Sequence, residues 1–174
     1  NNQIFRYTNV LSSPITKTII TISQMNNKRA SYIKVSPNNP STIYIGTEDG
    51  RVIRLTNSNT VPATPLAADI KQMVTGLYYV SSIDVKTDNT APIQDDEIVV
   101  TCSNYGVASI YYCSNGTNTS PTFSSIDNPG LLGDIPVRCA LFAPNNNTQG
   151  IKVLLGTELG VWATDTYNGT STVW

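Results

Sequence analysis

Residues Pro37 to Val52 read PNNPSTIYIGTEDGRV, and the chain writes nearly the same phrase again from Pro144 to Val161, as PNNNTQGIKVLLGTELGV. Each copy opens on a Pro-Asn-Asn turn and runs through an apolar stretch into Gly-Thr-Glu. A second glycine follows, Gly50 or Gly160, and then another apolar stretch. Between the two, Thr87 to Val107, TDNTAPIQDDEIVVTCSNYGV, keeps the outline in looser spelling. Gly50, Gly106 and Gly160 are spaced by 56 and 54 residues. Self-similarity at a period of about 50 residues confines a chain to an array of like units, each too small to hide its own apolar faces.

The units read as strands. Ile4 to Tyr7 alternates apolar and polar, Lys17 to Ile22 is β-branched, and Met25 to Arg29 is a polar turn. In the first full unit Ala30–Val35, Thr42–Ile45 and Arg51–Leu55 have strand character, and Leu66–Met73 fits either a fourth strand or a short helical turn. The second unit offers Tyr79–Val85, Glu97–Cys102, Val107–Cys113 and Thr122–Ile126. Dense β-branching in Glu97–Cys102 predicts burial on both faces. The third offers Val137–Phe142, Ile151–Leu155 and Val161–Thr164, and closes on Ser171–Trp174. The linker Asn128–Pro136, NPGLLGDIP, carries two glycines and two prolines, so no regular structure is expected there. No amphipathic helix is legible. The expected class is all-β, with residues 1–29 as the last strands of a preceding unit, 30–78 and 79–136 (with linker) as two units, and 137–174 as another.

Composition removes whole classes of function. Only 13% of the 174 residues are charged, the net charge is −1 and there is no histidine. Nucleic acid or an anionic membrane would call for a clustered cationic face, and the sequence has none. Without histidine there is no Ser-His or Cys-His pair and no imidazole for zinc, and neither cofactor nor metal is expected. No apolar stretch approaches the roughly 20 residues that span a bilayer. The chain opens on Asn1-Asn2 with no leader pattern or initiator methionine, from which a mature or excised piece of a longer product is expected. Cys102, Cys113 and Cys139 cannot all pair within one chain, and buried thiols are expected.

The order of strand, Pro-Asn-Asn turn, apolar run ending Gly-Thr, acidic glycine turn and apolar strand resembles blades of the BNR/sortilin/xyloglucanase-like β-propellers. The versions it resembles include secreted and surface proteins of Bacteroidetes with type IX secretion sorting domains. GDIPVRCALFAPNN followed by VLLGTELGVWATD is the most specific stretch, similar to the LP-x-IPV … YVGT-x-x-GVY-x-S signature of those blades. The family's Asp-box hairpin, Ser-x-Asp-x-Gly-x-Thr-Trp, survives in worn form as Asp165, Gly169, Thr172 and Trp174, and more poorly as Ser114, Gly116, Thr122 and Phe123. The resemblance gives those residues a structural role. It implies a β-propeller segment of about three to three and a half four-stranded antiparallel blades, where a ring closes with about 4 to 8. A segment of a larger ring is therefore expected, with association of copies as the alternative.

In such a fold the turns between second and third strands lie on the top face near the channel mouth. That makes Glu48, Asp49, Asn104, Tyr105 and Glu158 the candidate ligand-binding residues, for a sugar or a cation. The plainer account is that each makes a soluble tight turn. Asp95-Asp96-Glu97 could offer oxygens to calcium, but a solvated loop is expected. Asp84 and Asp134 stand at or near unit starts, where xyloglucanase-like relatives carry catalytic aspartates. Glycoside hydrolysis needs two carboxylates about 5 to 10 Å apart. A sialidase-like site would need an arginine triad, which no motif selects from Arg6, Arg29, Arg51, Arg54 and Arg138. Tyr78-Tyr79, Tyr111-Tyr112 and Trp162 could stack on sugars, but packing between units is expected of them. The sequons at Asn115, Asn118, Asn146 and Asn168 are expected by chance.

The resulting expectation is a non-catalytic binding or scaffold module of a secreted or cell-surface protein, acting through top-face loops, with carbohydrate or a surface protein as partner. Two alternatives stay open. One is part of a glycoside hydrolase whose groove is shared with further blades; the other is a surface subunit that associates through open blade edges.

Overall fold

The computed structural model describes residues 2–60, 65–72, 78–87, 95–144, 150 and 152–174. The chain is all-β, and its strands form four antiparallel sheets. The first sheet pairs β1 (Gln3–Thr8) with β2 (Thr16–Thr21). The second has the order β3 (Ala30–Val35), β4 (Ile43–Thr47), β5 (Arg51–Thr56), β6 (Leu66–Gln72). The third runs β7 (Val80–Val85), β8 (Ile98–Cys102), β9 (Ile110–Cys113), β10 (Ser124–Ser125). The fourth holds β11 (Val137–Phe142), β12 (Val153–Thr157) and β13 (Gly160–Thr164). Each sheet pairs only strands adjacent in sequence, as expected for short runs joined by turn chemistry.

Several expectations need correction. Leu66–Gln72 is a strand, because it completes the hydrogen bonding of β5 along Arg51–Thr56; Met73 lies outside the described residues. The linker 128–136 does contain regular structure, a one-turn helix α1 at Pro129–Leu132. Proline suits its first turn, and Gly133, at φ +73°, closes it by donating to the Pro129 carbonyl at 3.0 Å. The polar turn at Met25–Arg29 instead begins in a 3-10 turn, Ser23–Met25, with Met25 only 1% exposed in the core. The strand expected from Val107 begins at Ile110, and Thr122–Ile126 yields only the two residues of β10. No strand follows β13 among the described residues, so the fourth sheet has three strands and Ser171–Trp174 is not one. Cys139 is exposed on β11, whereas Cys102 and Cys113 are buried as expected; burial pushes the Cys102 thiol up to about 12.

The full sheets share one register. Val35, Val85 and Phe142 oppose Ile43, Ile98 and Val153. All three first strands slip by one residue at the same place, between Ala30 and Tyr32, Val80 and Ser82, and Val137 and Cys139. Such a bulge re-aims the residue it contains. Here it aims a hydroxyl at the next sheet: Ser31 Oγ donates to the Val80 carbonyl at 2.7 Å, and Ser81 Oγ to the Val137 carbonyl at 2.6 Å. The two donors are equivalent, and so are the two acceptors.

The third strands repeat a second contact. Arg6 and Arg54 each occupy the fourth position of a six-residue strand, QIFRYT in β1 and RVIRLT in β5. Arg6 Nη1 donates to the carbonyls of Ser58 and Thr60 at 2.6 and 3.0 Å. Arg54 Nη1 donates to those of Gly116 and Asn118 at 2.5 and 2.8 Å, in the corresponding turn of the next sheet. Tyr112 holds the same register position in β9 and stacks on Tyr167 with ring centroids 4.2 Å apart.

Between the sheets lie three cores. Ile20, Ile22 and Met25 pack with Ile45, Ile53 and Leu55. Tyr44 and Val52, on the opposite face of the same strands, pack with Val80, Ile83, Ile98 and Val100. Val99 and Ile110 pack with Val137, Ala140, Val153 and Leu155. A sheet buried on both faces explains why all five residues of β8 are inaccessible, as its β-branching predicts. Each Val, Ile or Leu sealed this way stabilises by roughly 1.5–3 kcal/mol. The sheets approach closely at Gly46, where a Cβ would stand 2.3 Å from Val80 Cγ1. The glycine of the repeated Gly-Thr-Glu is therefore a spacing requirement, and its threonine closes the turn: Thr47 Oγ1 accepts from Arg51 N at 2.9 Å and donates to Asp49 Oδ1 at 2.6 Å.

Candidate functional site

The turns between second and third strands carry the candidate residues, and each turn is tied to the entry of its own sheet. Glu48 accepts from Arg29 N and Arg29 Nε at 3.1 and 2.8 Å. Those bonds hold its carboxyl below the usual carboxylate range, the one from the Arg29 backbone foremost. Asp49 accepts from Thr47 Oγ1 and from Arg51 Nε at 3.2 Å. Arg51 Nη1 also bridges to Asp69 at 2.7 Å. In the third sheet Asn104 Oδ1 accepts from Tyr79 N at 2.5 Å.

The structure brings only part of the expected set together. Tyr105 donates to Glu158 at 2.8 Å across the boundary between third and fourth sheets, and Glu158 also pairs with Arg138. The Tyr105 bond comes first, with Arg138, in holding the Glu158 carboxyl low, and the same bond raises the Tyr105 phenol. Tyr105 keeps 63% of its surface exposed, so its ring faces solvent beside an ion pair. Glu48 and Asp49 make their contacts within the second sheet and its entry, apart from this cluster.

A cavity of about 350 Å³ opens beside this cluster, between the β8–β9 turn and the segment leading to β11. Gly106, Val107, Asp127, Pro129 and Asp134 line it. Asp134 Oδ1 accepts from Gly106 N at 2.6 Å and so pins the turn. Asp127, 7% exposed, accepts from Ser109 N at 2.6 Å, and burial raises its carboxyl above the usual range.

A larger hollow of about 600 Å³ lies at the other end of the first strands, where Lys34, Asp84, Lys86 and Phe142 converge. Asp84 Oδ1 pairs with Lys34 Nζ at 2.7 Å and Oδ2 accepts from Phe142 N at 2.8 Å. Both its oxygens thus tie three first strands together. Lys86 Nζ reaches Glu97 at 2.5 Å, and Tyr112 donates to the same carboxylate at 2.7 Å. Asp84 and Asp134 stand at opposite ends of the third sheet, so they do not form a carboxylate pair across one cleft.

Asp96 overturns the expectation of a solvated acidic loop. It is 1% exposed and accepts from Ser36 Oγ, Asn38 Nδ2 and Tyr44 OH at 3.0, 2.8 and 2.8 Å. Sequence reading also missed the two arginine contacts, although the likeness of QIFRYT to RVIRLT carried the signal. The stretch Asp165 to Trp174, expected to carry an Asp-box-like hairpin, contributes no strand. Asp165 is exposed, while Thr172 is buried, accepting from Asn168 N at 2.9 Å and donating to the Gly169 carbonyl at 2.8 Å. Gly169 sits at φ +52°, and Trp174 Nε1 donates to the Ile126 carbonyl at 3.0 Å. These residues fasten the end of the chain to the outer edge of the third sheet. Asn115 Oδ1 is engaged by Thr122 N at 2.9 Å, and Asn146 lies outside the described residues.

Among the described residues no three His, Cys, Asp or Glu converge as a metal site, and no helix is long and apolar enough to cross a membrane. Comparison with protein-family models, with curated proteins and with solved structures returned no match.

Proposed function

We propose that the four sheets are successive blades of a β-propeller and that the chain is a non-catalytic binding and scaffold module of a secreted or cell-surface protein. The observation that carries the reading is the recurrence of sheet-to-sheet bonds at equivalent positions, Ser31 to Val80 and then Ser81 to Val137. A contact repeated between unlike sheets implies a repeated rotation, as in a solenoid or a ring of blades. Recognition falls to the turn end, where Tyr105, Glu158 and Arg138 flank a cavity on a rigid frame. A solvent-facing phenol beside a carboxylate and a guanidinium suits a carbohydrate or a polar protein surface. Asp84 acts as a structural tie, since both its oxygens are already bonded.

A glycan array followed by calorimetry on hits tests this. Tyr105→Ala and Glu158→Gln are expected to weaken binding at least about tenfold, with the fold unchanged. Binding indifferent to both variants, or turnover of a β-glucan or sialoside panel, would overturn the reading.

A further inference from the structure

The sequence contains two Asn-Gly steps, Asn115-Gly116 and Asn168-Gly169. Such a step can deamidate without an enzyme: the glycine nitrogen attacks the asparagine Cγ, and no side chain on the glycine hinders the approach. The two steps are alike in sequence and differ in structure. Asn115-Gly116 is tied at both reacting ends. Gly116 is buried, and its amide donates to the Asp96 carbonyl at 2.9 Å. Asn115 Oδ1 accepts from Thr122 N at 2.9 Å and from Cys113 Sγ at 3.2 Å. Ile98 packs directly on this backbone, since a Cβ built at Gly116 would stand 2.3 Å from Ile98 Cδ1.

Asn168-Gly169 is open at both ends. Asn168 is exposed, and among the described residues neither its carboxamide nor the Gly169 amide makes a hydrogen bond. The turn is held by other atoms. Asn168 N donates to Thr172 Oγ1 at 2.9 Å, Thr172 Oγ1 donates to the Gly169 carbonyl at 2.8 Å, and Ser171 N donates to the Asn168 carbonyl at 2.9 Å. This leaves the attacking nitrogen and the Cγ it must reach unengaged. The same turn carries the contacts of residues 168–174 with the third sheet: Asn128 Nδ2 donates to the Thr172 carbonyl, and Trp174 Nε1 to the Ile126 carbonyl, both at 3.0 Å.

We infer that Asn168 is a site of spontaneous deamidation, and that its conversion loosens residues 168–174 from the third sheet. The Gly169 nitrogen gives up its proton to solvent base and bonds to Asn168 Cγ. The carboxamide C–N bond breaks, and its nitrogen leaves as ammonia. Water then opens the five-membered imide at either carbonyl. Opening at Cγ leaves aspartate; opening at the main-chain carbonyl leaves isoaspartate, with the backbone rerouted through the side chain and one methylene longer. The net change exchanges an amide and water for an acid and ammonia, with no oxidation or reduction. The longer backbone separates the Asn168 amide from the Gly169 carbonyl, which the single Thr172 hydroxyl now bonds together. Thr170, inside this turn, lines the cavity beside Asp127, so the change falls at that cavity's rim. The inference does not depend on any ligand at Tyr105.

The test ages the full chain at mildly alkaline pH and follows both steps by peptide mapping in a mass spectrometer, with isoaspartate marked by an isoaspartyl methyltransferase. Acid is expected at position 168 at least about tenfold faster than at 115, because Asn115-Gly116 must first open locally. The rate at 168 should rise with pH, as more of the Gly169 amide is ionised. In urea the two rates should converge, which shows that the fold and not the local sequence separates them. Asn168→Gln, which would have to close a six-membered ring, should remove the acidic species on isoelectric focusing. Hydrogen exchange over 168–174 should quicken in the aged parent and not in the aged variant. Equal rates in the folded chain, faster loss at Asn115, or an intact Asn168 under conditions that convert the unfolded chain would overturn the assignment. Conversion that leaves exchange over 168–174 unchanged would overturn the loosening.

Discussion

Tyr44 donates its phenolic hydrogen to Asp96 across the boundary between the second and third sheets, at 2.8 Å, with both side chains sealed from solvent. Burial, and then the neighbouring carboxylate, raise the Tyr44 phenol far above its usual value, so it stays a donor at any working pH. Ser36 and Asn38 complete the cradle around Asp96. Tyr44→Phe should cost about 1.5–3 kcal/mol, the range for a bond to a charged group. Asp96→Ala should cost more, because three donors lose their acceptor at once. Urea unfolding reports both as lowered midpoints at constant slope.

Arg6 and Arg54 make the same forked bond at two separate boundaries. Arg6→Ala and Arg54→Ala should each cost about 1–3 kcal/mol. The double variant should sum the two losses to within about 0.5 kcal/mol, as for sites with no shared partner. Lysine at either position should recover part of each loss, since both bonds leave a single nitrogen and an ammonium carries enough N–H donors to make both.

Gly46→Ala should destabilise by about 1–3 kcal/mol through overpacking against Val80. Val80→Ala alone opens a cavity and destabilises, but in the Gly46→Ala background it should recover part of that loss by making room for the added methyl. Gly156→Ala should cost less. Its added Cβ meets only the Cys139 thiol at 2.8 Å, and Cys139 is on an exposed position with room to turn. Thermal melts of the four variants decide the order.

Asp127 sets a pH dependence. Burial raises its folded-state pKa above the unfolded value, so the folded chain holds the proton more tightly. Its favourable contribution is present below the usual aspartate range and is lost as pH rises through the raised value. Asp127→Asn keeps an oxygen for Ser109 N. It should therefore gain stability over the parent at neutral pH, with the difference vanishing in acid. Glu158 runs the other way: its pKa is lowered, so its contribution is present above the usual glutamate range and is lost as pH falls through the lowered value. Melts between about pH 3 and 8 separate the two, with Glu158→Gln the smaller effect because exposed charges are screened.

Strand positions were legible where alternation or β-branching ran unbroken, as in Ala30–Val35 and Val137–Phe142, whose bounds the structure reproduces. Ends governed by tertiary partners were not. Val107–Ser109 reads as strand, yet Asp127 takes the Ser109 amide and delays β9 to Ile110. Leu66–Gln72 lacks a clear period, and only the edge of β5 decides its form. At the turn end, Tyr105 and Glu158 were legible as polar turn residues, but their meeting depends on how two sheets nest, which no local pattern encodes. Asp96 was misread for the same reason. Three carboxylates in a row look solvated until Ser36, Asn38 and Tyr44 arrive from 52 to 60 residues away.

The one-residue slip shared by β3, β7 and β11 has a geometric consequence. A bulge increases the local right-handed twist of its strand, and here the added twist sits at the same station in three of the four sheets. The face that each of these sheets turns to its neighbour is therefore shaped by the same device, and Ser31 and Ser81 reach across from it alike.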